Sequence, residues 1–234
     1  MVQELKTLET PRAVRVKFEK VGRLKYISHL DLNRTFSHAL VRAKIPVWYT
    51  MGFNPHTKMT FATPLSVGSE SICEYMDIKI VKDMPTEDIK ASLAAAFAPG
   101  LNIVDVYYPE TKFDAIAWSD YEIRLHTKNA DDALAKRLSE LFDKDVINVV
   151  KHTKSGDKET NIKPFILRFA ASFEDGDAVI RAALCCDNRN FLNPEYLMTV
   201  IKTELGLFEK ESTDEGYDIL RKEVYFSDGV TPFI

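Results

Sequence analysis

The order of predicted strands and helices is the feature that most restricts the fold of this chain. Alternating or helically spaced apolar residues predict, in the first half, strands at 12–20, 47–50, 58–63, 73–81 and 101–108 and helices at 28–45 and 86–98. In the second half they predict strands at 121–126, 146–152, 162–173, 178–185 and 219–226 and helices at 129–142 and 193–205. Each half gives the order strand, helix, three strands, helix, strand, which we assign to the strand, helix, strand, strand, helix, strand order of a split β-α-β arrangement with one additional strand between the helices.

The repeated order predicts an α+β protein with two tandem ferredoxin-like subdomains. The first subdomain is expected at 12–108 and the second at 121–228, joined by a turn-rich linker at 109–120. A chain of 234 residues is long enough for two small domains or one large one. A single mixed α+β sheet therefore stays open as the alternative.

The first predicted helix has a well-defined beginning. Ser28 is followed three residues later by Asp31, which is the spacing of a capping box. Leu32 and Phe36 begin the apolar stripe, and Pro46 ends the helix. On this helix Arg34, His38 and Arg42 are four residues apart, so we expect them on one face.

Several classes of protein are excluded by what the sequence lacks. No apolar run approaches the roughly 20 residues of a membrane span, and the N-terminus lacks the pattern of a secretory signal. The three cysteines suggest a reducing compartment, so a cytoplasmic protein is expected. The chain has neither a Gly-rich phosphate loop nor a Cys-x₂-Cys pair, and it lacks the three-cysteine cluster of an iron–sulfur centre. We therefore expect no cofactor and no metal.

Charge is distributed unevenly along the chain. Residues 12–58 hold ten basic and two acidic residues, a net charge of +8, so the remainder carries −12 of the total −4. This contrast indicates contact with nucleic acid or another polyanion, although solvation of helix and strand faces explains it too. Aromatic residues interleave with the basic ones, as in surfaces that stack bases. The residues expected to bind RNA are Lys25, Tyr26, Arg34, His38, Arg42, Tyr49, Phe53, Asn54 and Lys58.

A second group of polar residues could in principle support catalysis. The candidates are His29, His56, Ser71 and Glu74, which we expect to line one cleft near the beginning of the first helix. A Ser–His relay also needs a buried acid and an oxyanion hole, and no motif marks either one. Whether the chain is an enzyme stays open, with binding favoured over catalysis by this chain alone.

Specific motifs in the first half resemble those of the radical-SAM-linked family, a domain of unknown function found adjacent or fused to radical S-adenosylmethionine proteins. The motifs are Tyr26-Ile-Ser-His-Leu-Asp-Leu32, Tyr49-Thr-Met-Gly-Phe-Asn-Pro-His-Thr-Lys58, and Gly68-x-Glu-Ser71 followed by Glu74-Tyr-x-Asp77. The second half matches weakly, through Lys154-x-Gly-x-Lys158 and Ile162-Lys-Pro164. Asn161 stands where the family has an acid.

The resemblance implies an accessory role beside a radical-SAM protein. Together with the charge asymmetry, it favours an RNA- or ribonucleoprotein-binding module that acts in RNA modification or ribosome biogenesis. The alternative is a protein–protein adaptor for a radical-SAM partner that does not contact nucleic acid. A free-standing enzyme that uses the Ser/His/Glu cluster is the third possibility.

Overall fold

The computed structural model of the chain describes residues 5–153, 156–187, 190–208 and 215–234. Contacts divide the chain into two compact units. Unit 1 extends to Phe113 and also includes Ile234, and unit 2 is Asp114–Phe233. Both mix helices with antiparallel strands, so the chain belongs to the α+β class.

Unit 1 is a sheet with two helices. Its elements are β1 (Thr7–Lys20), α1 (His29–Arg42), β2 (Thr60–Phe61), β3 (Ser69–Lys82), α2 (Thr86–Ala96) and β4 (Leu101–Tyr107). A 3₁₀ helix, Gly22–Tyr26, precedes α1. Within the unit the spatial order is β4-β1-β3-β2, and every neighbouring pair is antiparallel.

The helix α1 begins where its sequence predicts and ends at Arg42, three residues before the predicted end at 45. The Ser28 Oγ accepts a hydrogen bond from the Asp31 N–H at 3.1 Å and donates to Asp31 Oδ2 at 2.7 Å. The Ser28 side-chain hydrogen bond comes first among the causes that lower the pKa of Asp31. The capping box is therefore confirmed. It fixes the direction in which His29, the first helical residue, leaves the cap.

The core of unit 1 lies between the sheet and its helices. Val14, Val16 and Phe18 alternate along β1 toward this core. The Phe36 ring packs edge-on against Phe18 at 4.8 Å and against Phe97 at 4.9 Å. These aromatic contacts hold α1 on the sheet and so position the residues at its first turn.

Unit 2 repeats the order of elements and adds a hairpin. Its elements are β5 (Trp118–His126), α3 (Asp132–Asp143), β6 (Asn148–Thr153), β7 (Gly156–Asn161), β8 (Ile166–Glu174), β9 (Asp177–Cys185), α4 (Glu195–Leu205) and β10 (Gly216–Tyr225). The spatial order is β10-β5-β9-β8, and the β6–β7 hairpin forms a separate two-stranded sheet. Its core includes Ile123, Leu138 and a stacked pair of Phe142 and Phe169, with ring centroids 4.3 Å apart.

The predicted linker is more structured than its composition indicates. Residues 113–115 form a 3₁₀ helix, and 118–120 already belong to β5. From the sequence, Ser119 and Asp120 are assigned to the linker because they are polar. However, Ser119 is buried and donates to Cys186 Sγ at 3.0 Å, while Asp120 is held by Arg168 at 2.9 Å. The sheet strand of unit 2 therefore begins three residues before the predicted boundary.

Three other predicted elements differ from the structure. In place of the strand predicted at 47–50 the structure has isolated bridges at Val47 and Tyr49. Of the strand predicted at 58–63 only the two residues of β2 are present. The helix predicted from 129 begins at Asp132, because Asp131 and not Asn129 accepts the capping hydrogen bond, from the Leu134 N–H at 2.7 Å. The strand predicted from 162 begins at Ile166, after a 3₁₀ helix. Lys154, from the weak second-half motif, lies outside the described residues.

Candidate functional site

The first turn of α1 lies over a small polar cavity. Ser28, His29, Lys20 and Glu74 line it, together with apolar residues that include Phe61. The rings of His29 and Phe61 meet edge-on at 5.1 Å. The cavity volume is about 10 Å³, which is room for a single water molecule. The structure thus gathers titratable groups here without space for a larger substrate.

Lys20 and Glu74 are buried in the wall of this cavity. Only 2% of Lys20 and 7% of Glu74 is exposed. The sequence analysis did not select Lys20, although a signal for it was present. Lys20 follows Val14, Val16 and Phe18 at even spacing, which assigns its side chain to the core-facing side of β1.

The four candidate catalytic residues do not form one cleft. His29 and Glu74 line the cavity, whereas Ser71 and His56 do not. Ser71 is buried, and its Oγ accepts from the Cys73 N–H at 3.2 Å. Ser71 and Glu74 lie on either side of a shift in register, because Lys20 pairs with Ser71 and Phe18 with Glu74. Of the four residues predicted to line one cleft, the cavity therefore brings together two, His29 and Glu74.

His56 belongs to a loop that leaves the outer side of β3 and returns to it. Trp48 donates its N–H to the Lys79 carbonyl at 2.8 Å before the loop, and Thr60 pairs with Asp77 after it. The loop closes on itself through a bridge between Tyr49 and Thr57. We call residues 49–58 the β2-edge loop.

Hydrogen bonds across the neck fix the shape of this loop. The Thr50 N–H donates to the His56 carbonyl at 2.9 Å, and the His56 N–H donates to Thr50 Oγ1 at 3.2 Å. The His56 Nδ1 lies 3.1 Å from Thr50 Oγ1 and 3.2 Å from the Asn54 carbonyl oxygen. His56 is therefore occupied in holding the loop, and Met51, Gly52 and Phe53 form its exposed tip.

The basic line of α1 lies on another side of the helix. Arg34 forms an exposed ion pair with Asp31 at 3.4 Å, and Arg42 donates to the Ala96 carbonyl at the end of α2. Arg42 and His29 are thirteen residues apart, which places them roughly 140° apart around the helix. Since His29 contacts Phe61 of β2, the basic line Arg34–His38–Arg42 flanks α2, away from the β2 edge.

The aromatic candidates are exposed, as a stacking surface requires. Tyr26 is 66% exposed, and Lys25 Nζ lies 5.5 Å from its ring centroid. Tyr49 is exposed, and Phe53 is as accessible as in an extended chain, at 102%. Asn54 and Lys58 are also exposed. Phe18 is in the core, as expected, while Trp48 is half-buried with Lys79 Nζ 5.9 Å from its ring.

Part of the positive charge of 12–58 is neutralised inside unit 1. Arg15 is fully buried, and it donates to both Asp77 oxygens at 2.8 and 2.9 Å beneath the Phe113 ring. Arg12 pairs with Asp83 at 3.1 Å. Lys44 and Lys58, by contrast, have no ion pair among the described residues. From Leu32 to Ser69 the chain contains no Asp or Glu at all.

Two further functional features were tested on the part of the chain that the structure describes. No group of three or more His, Cys, Asp or Glu side chains there converges as a metal ion requires. None of the described helices is long and apolar enough to cross a membrane.

The chain therefore consists of two α+β units, and the exposed basic segment lies in unit 1. The chain belongs to the family described as "Uncharacterized protein conserved in bacteria (DUF2344)", which matches residues 13–194. The link to radical-SAM proteins suggested by its motifs stays a prediction. A search of curated proteins finds no significant match.

Two solved structures resemble this chain over most of its length. "Crystal Structure of a Cbf5-Nop10-Gar1 Complex" is 8% identical with a TM-score of 0.47, covering 90% of this chain and 48% of that chain. "Crystal Structure of an Unknown Protein from Galdieria sulphuraria" is 14% identical with a TM-score of 0.25, covering 91% of this chain and 99% of that chain. This chain thus spans about half the length of the first. Neither likeness is close enough to carry an argument about function.

Proposed function

We propose that this protein is an RNA- or ribonucleoprotein-binding module that works as an accessory to a radical-SAM enzyme. One observation carries the proposal. The stretch Leu32–Ser69 contains four Lys or Arg residues and no carboxylate, and it exposes Tyr49 and Phe53 to solvent. Cations hold phosphates, and exposed aromatic rings stack bases.

The two basic parts of unit 1 suit a flexible polyanion better than a small ligand. The α1 line and the β2-edge loop lie on different sides of α1, and the cavity beside His29 has room for only one water molecule. A nucleic-acid strand can contact both surfaces, because each phosphate contact is made separately. The radical-SAM partner and the cytoplasmic setting rest on the resemblance of the motifs and on the cysteine content.

We also infer that each unit is ferredoxin-like. The spatial orders β4-β1-β3-β2 and β10-β5-β9-β8 support this, because each places the fourth strand of its unit next to the first and the third next to the second. In unit 2 the β6–β7 hairpin is an insertion between the first helix and the second sheet strand.

A salt titration of RNA binding tests the proposal. Counterion release predicts that log affinity falls by about 0.7 per phosphate contact for each tenfold rise in salt with single strands. The double variant Arg34→Ala, Lys58→Ala takes one cation from each surface, so its slope should be shallower by about 1.4. A fluorescence titration against total cellular RNA at several salt concentrations measures it. An intact chain that shows no salt-sensitive binding would contradict the proposal.

A protein–protein adaptor is the second candidate, and exposed aliphatic residues favour it. Leu30 and Val41 both point to solvent on α1, and Met51 does so at the loop tip. On this reading, substitution of Leu30 and Val41 by Ser removes a protein partner, and RNA binding is absent at every salt concentration. Co-purification from native extract with and without ribonuclease separates the two functions.

A further inference from the structure

The tip of the β2-edge loop exposes apolar side chains that do nothing for the fold. Phe53 is 102% exposed and Met51 is 90% exposed, and neither takes part in the core of unit 1. Water contact with large apolar groups is unfavourable, and the loop gains no packing from them. Such groups at the end of an ordered loop indicate contact with a partner.

The loop holds these side chains in place before any partner arrives. Its neck is closed by the Thr50 and His56 hydrogen bonds and by the bridge between Tyr49 and Thr57. Gly52 has φ of 141°, a conformation that side-chain-bearing residues avoid, and Pro55 fixes its own φ. A tip ordered in advance loses less entropy on binding than a flexible one.

The charge around the tip identifies the kind of partner. No carboxylate occurs between Leu32 and Ser69, while Lys58 is the last residue of the loop and Lys44 precedes it. This composition disfavours a cationic partner and favours one that is both anionic and rich in flat apolar surfaces. Unpaired nucleotides have this combination, with a phosphate beside each accessible base. In a duplex the base faces are stacked inside and only the phosphates are offered.

We propose that the β2-edge loop is a stacking site for unpaired RNA nucleotides, with Phe53 beneath a base, Met51 at its edge and Lys58 on a neighbouring phosphate. This rests on the proposed RNA-binding function and specifies its substrate as single-stranded. The α1 basic line then supplies sequence-independent phosphate contacts, and the loop supplies the preference for unpaired bases.

The test compares oligonucleotides and variants in the intact chain. We expect single-stranded RNA to bind at least tenfold more tightly than duplex RNA of the same length. Phe53→Ala should weaken single-strand binding by about tenfold or more, the range for loss of one stacked base. Its salt slope should stay that of the intact chain, since no charge is removed. Phe53→Trp should restore affinity, and Val41→Ala, which removes exposed apolar surface on α1, should change nothing.

The outcomes separate this inference from the function on which it rests. Equal binding of single-stranded and duplex RNA, or a Phe53→Ala chain with intact affinity, overturns the stacking site while salt-dependent binding upholds the RNA function. Complete absence of RNA binding overturns both. Loss of a protein complex by Phe53→Ala, with RNA affinity kept, assigns the tip to a protein partner and also overturns the inference. Equal binding of single-stranded DNA supports it, because stacking does not read the 2′-hydroxyl.

Discussion

The two units share an order of elements but handle their positive charges differently. In unit 2, Arg168 pairs with Asp120 at 2.9 Å, and Arg181 pairs with Glu174 at 2.7 Å. In unit 1, Lys44 and Lys58 have no carboxylate partner among the described residues. Arg137 and Lys222 of unit 2 also lack an ion pair among the described residues, but acidic residues are interspersed with the cations along that unit, whereas no carboxylate occurs from Leu32 to Ser69 in unit 1. The units therefore differ in one stretch of unit 1 whose cations have no acidic neighbours in the sequence. The sign of the net charge alone would not have shown this difference.

The largest effect we predict comes from Arg15 of unit 1, a fully buried cation that is neutralised by an acid. Asp77→Ala leaves the Arg15 guanidinium buried without its bidentate partner, and such a loss costs about 3–5 kcal/mol of unfolding free energy. Urea denaturation measures it. The matched change Asp83→Ala breaks the exposed pair with Arg12 and should cost less than about 1 kcal/mol. Equal losses would contradict the distinction between buried and exposed pairs.

Thiol labelling shows which unit the Asp77→Ala change loosens. Cys73 is buried in unit 1, and Cys185 and Cys186 are buried in unit 2. Burial comes first among the causes that raise the pKa of Cys186 to about 11, so this thiol should react only when unit 2 opens. In Asp77→Ala, Cys73 should label faster while the unit 2 cysteines keep their rate. Faster labelling of all three would mean that the units open together.

The loss of RNA affinity should be large when cations without a carboxylate partner are removed and small when paired cations are removed. The double change Lys44→Ala, Lys58→Ala removes two phosphate contacts at 0.7 log units each, so its loss of affinity is expected to be about 25-fold larger at 0.1 M salt than at 1 M salt. The control Arg168→Ala, Arg181→Ala removes two cations that already have carboxylates and should change affinity less than about twofold. A comparable loss from both variants would remove the difference between the units.

Acid should weaken unit 2 through Glu174. Hydrogen bonds from Arg181 and then Ser172 lower the pKa of Glu174 from 4.5 to about 2. A lowered folded-state pKa gives stability that is present above about pH 4.5 and is lost as pH falls toward 2. Melting temperatures measured across this pH range test the prediction. The melting temperature of Arg181→Ala should fall less steeply with decreasing pH than that of the intact chain. Lys136→Ala, which removes an exposed cation of the same unit, should leave this pH dependence unchanged.

The smallest predicted effect is at His126, which joins two strands to its own. Partial burial opposes the charged imidazole, but hydrogen bonds with Asp177 at 2.9 Å and Asp218 at 3.1 Å outweigh it and raise the pKa above 6.5. A raised pKa gives stability that is complete below pH 6.5 and is lost as pH rises through the folded-state value. Because the site is partly exposed and Arg124 also approaches Asp177, the effect should stay below about 1 kcal/mol.

Urea midpoints at pH 5.5 and 8.5 measure the His126 contribution. The urea midpoint of His126→Gln should decline less between pH 5.5 and 8.5 than that of the intact chain, because glutamine cannot carry the positive charge of the imidazolium. The matched change His38→Gln removes an exposed histidine of unit 1 that has no carboxylate partner among the described residues, and it should keep the decline. An unchanged pH dependence in His126→Gln would show that the two carboxylates contribute nothing through this ring.

Local rules in the sequence predicted α1 well, because its boundaries depend on neighbours. Ser28 and Asp31 bond to each other at its beginning, and the helix ends at Arg42, within four residues of Pro46. The α+β class followed in the same way from the order of elements. The alternation along β1 would also have placed Lys20 in the core, had it been applied to polar residues. The shift in register between Ser71 and Glu74 on β3 depends on the pairing with β1 and is not visible in the sequence.

The edge of unit 1 and the hairpin of unit 2 depend on distant partners, and the sequence did not reveal them. Residues 47–50 and 58–63 have the composition of strands, but only Thr60 and Phe61 pair continuously with β3. Apolar alternation shows that a segment is extended and half-buried; it does not show which backbone faces it. For the same reason β6 was predicted as a strand without any sign that it pairs with β7 outside the main strands of its unit.

The interruption of β2 also bears on how the protein behaves at high concentration. A long, regular outer strand offers a row of unpaired N–H and carbonyl groups to which a second molecule can add, and this is a common route to aggregation. Here the pairing beside β3 is broken by the β2-edge loop, leaving a strand of two residues between Pro46 and Pro64. Proline has no N–H to donate, so Pro46 and Pro64 each remove one donor from this edge. A loop that displays apolar side chains thus also keeps the edge beside it too short to recruit another chain.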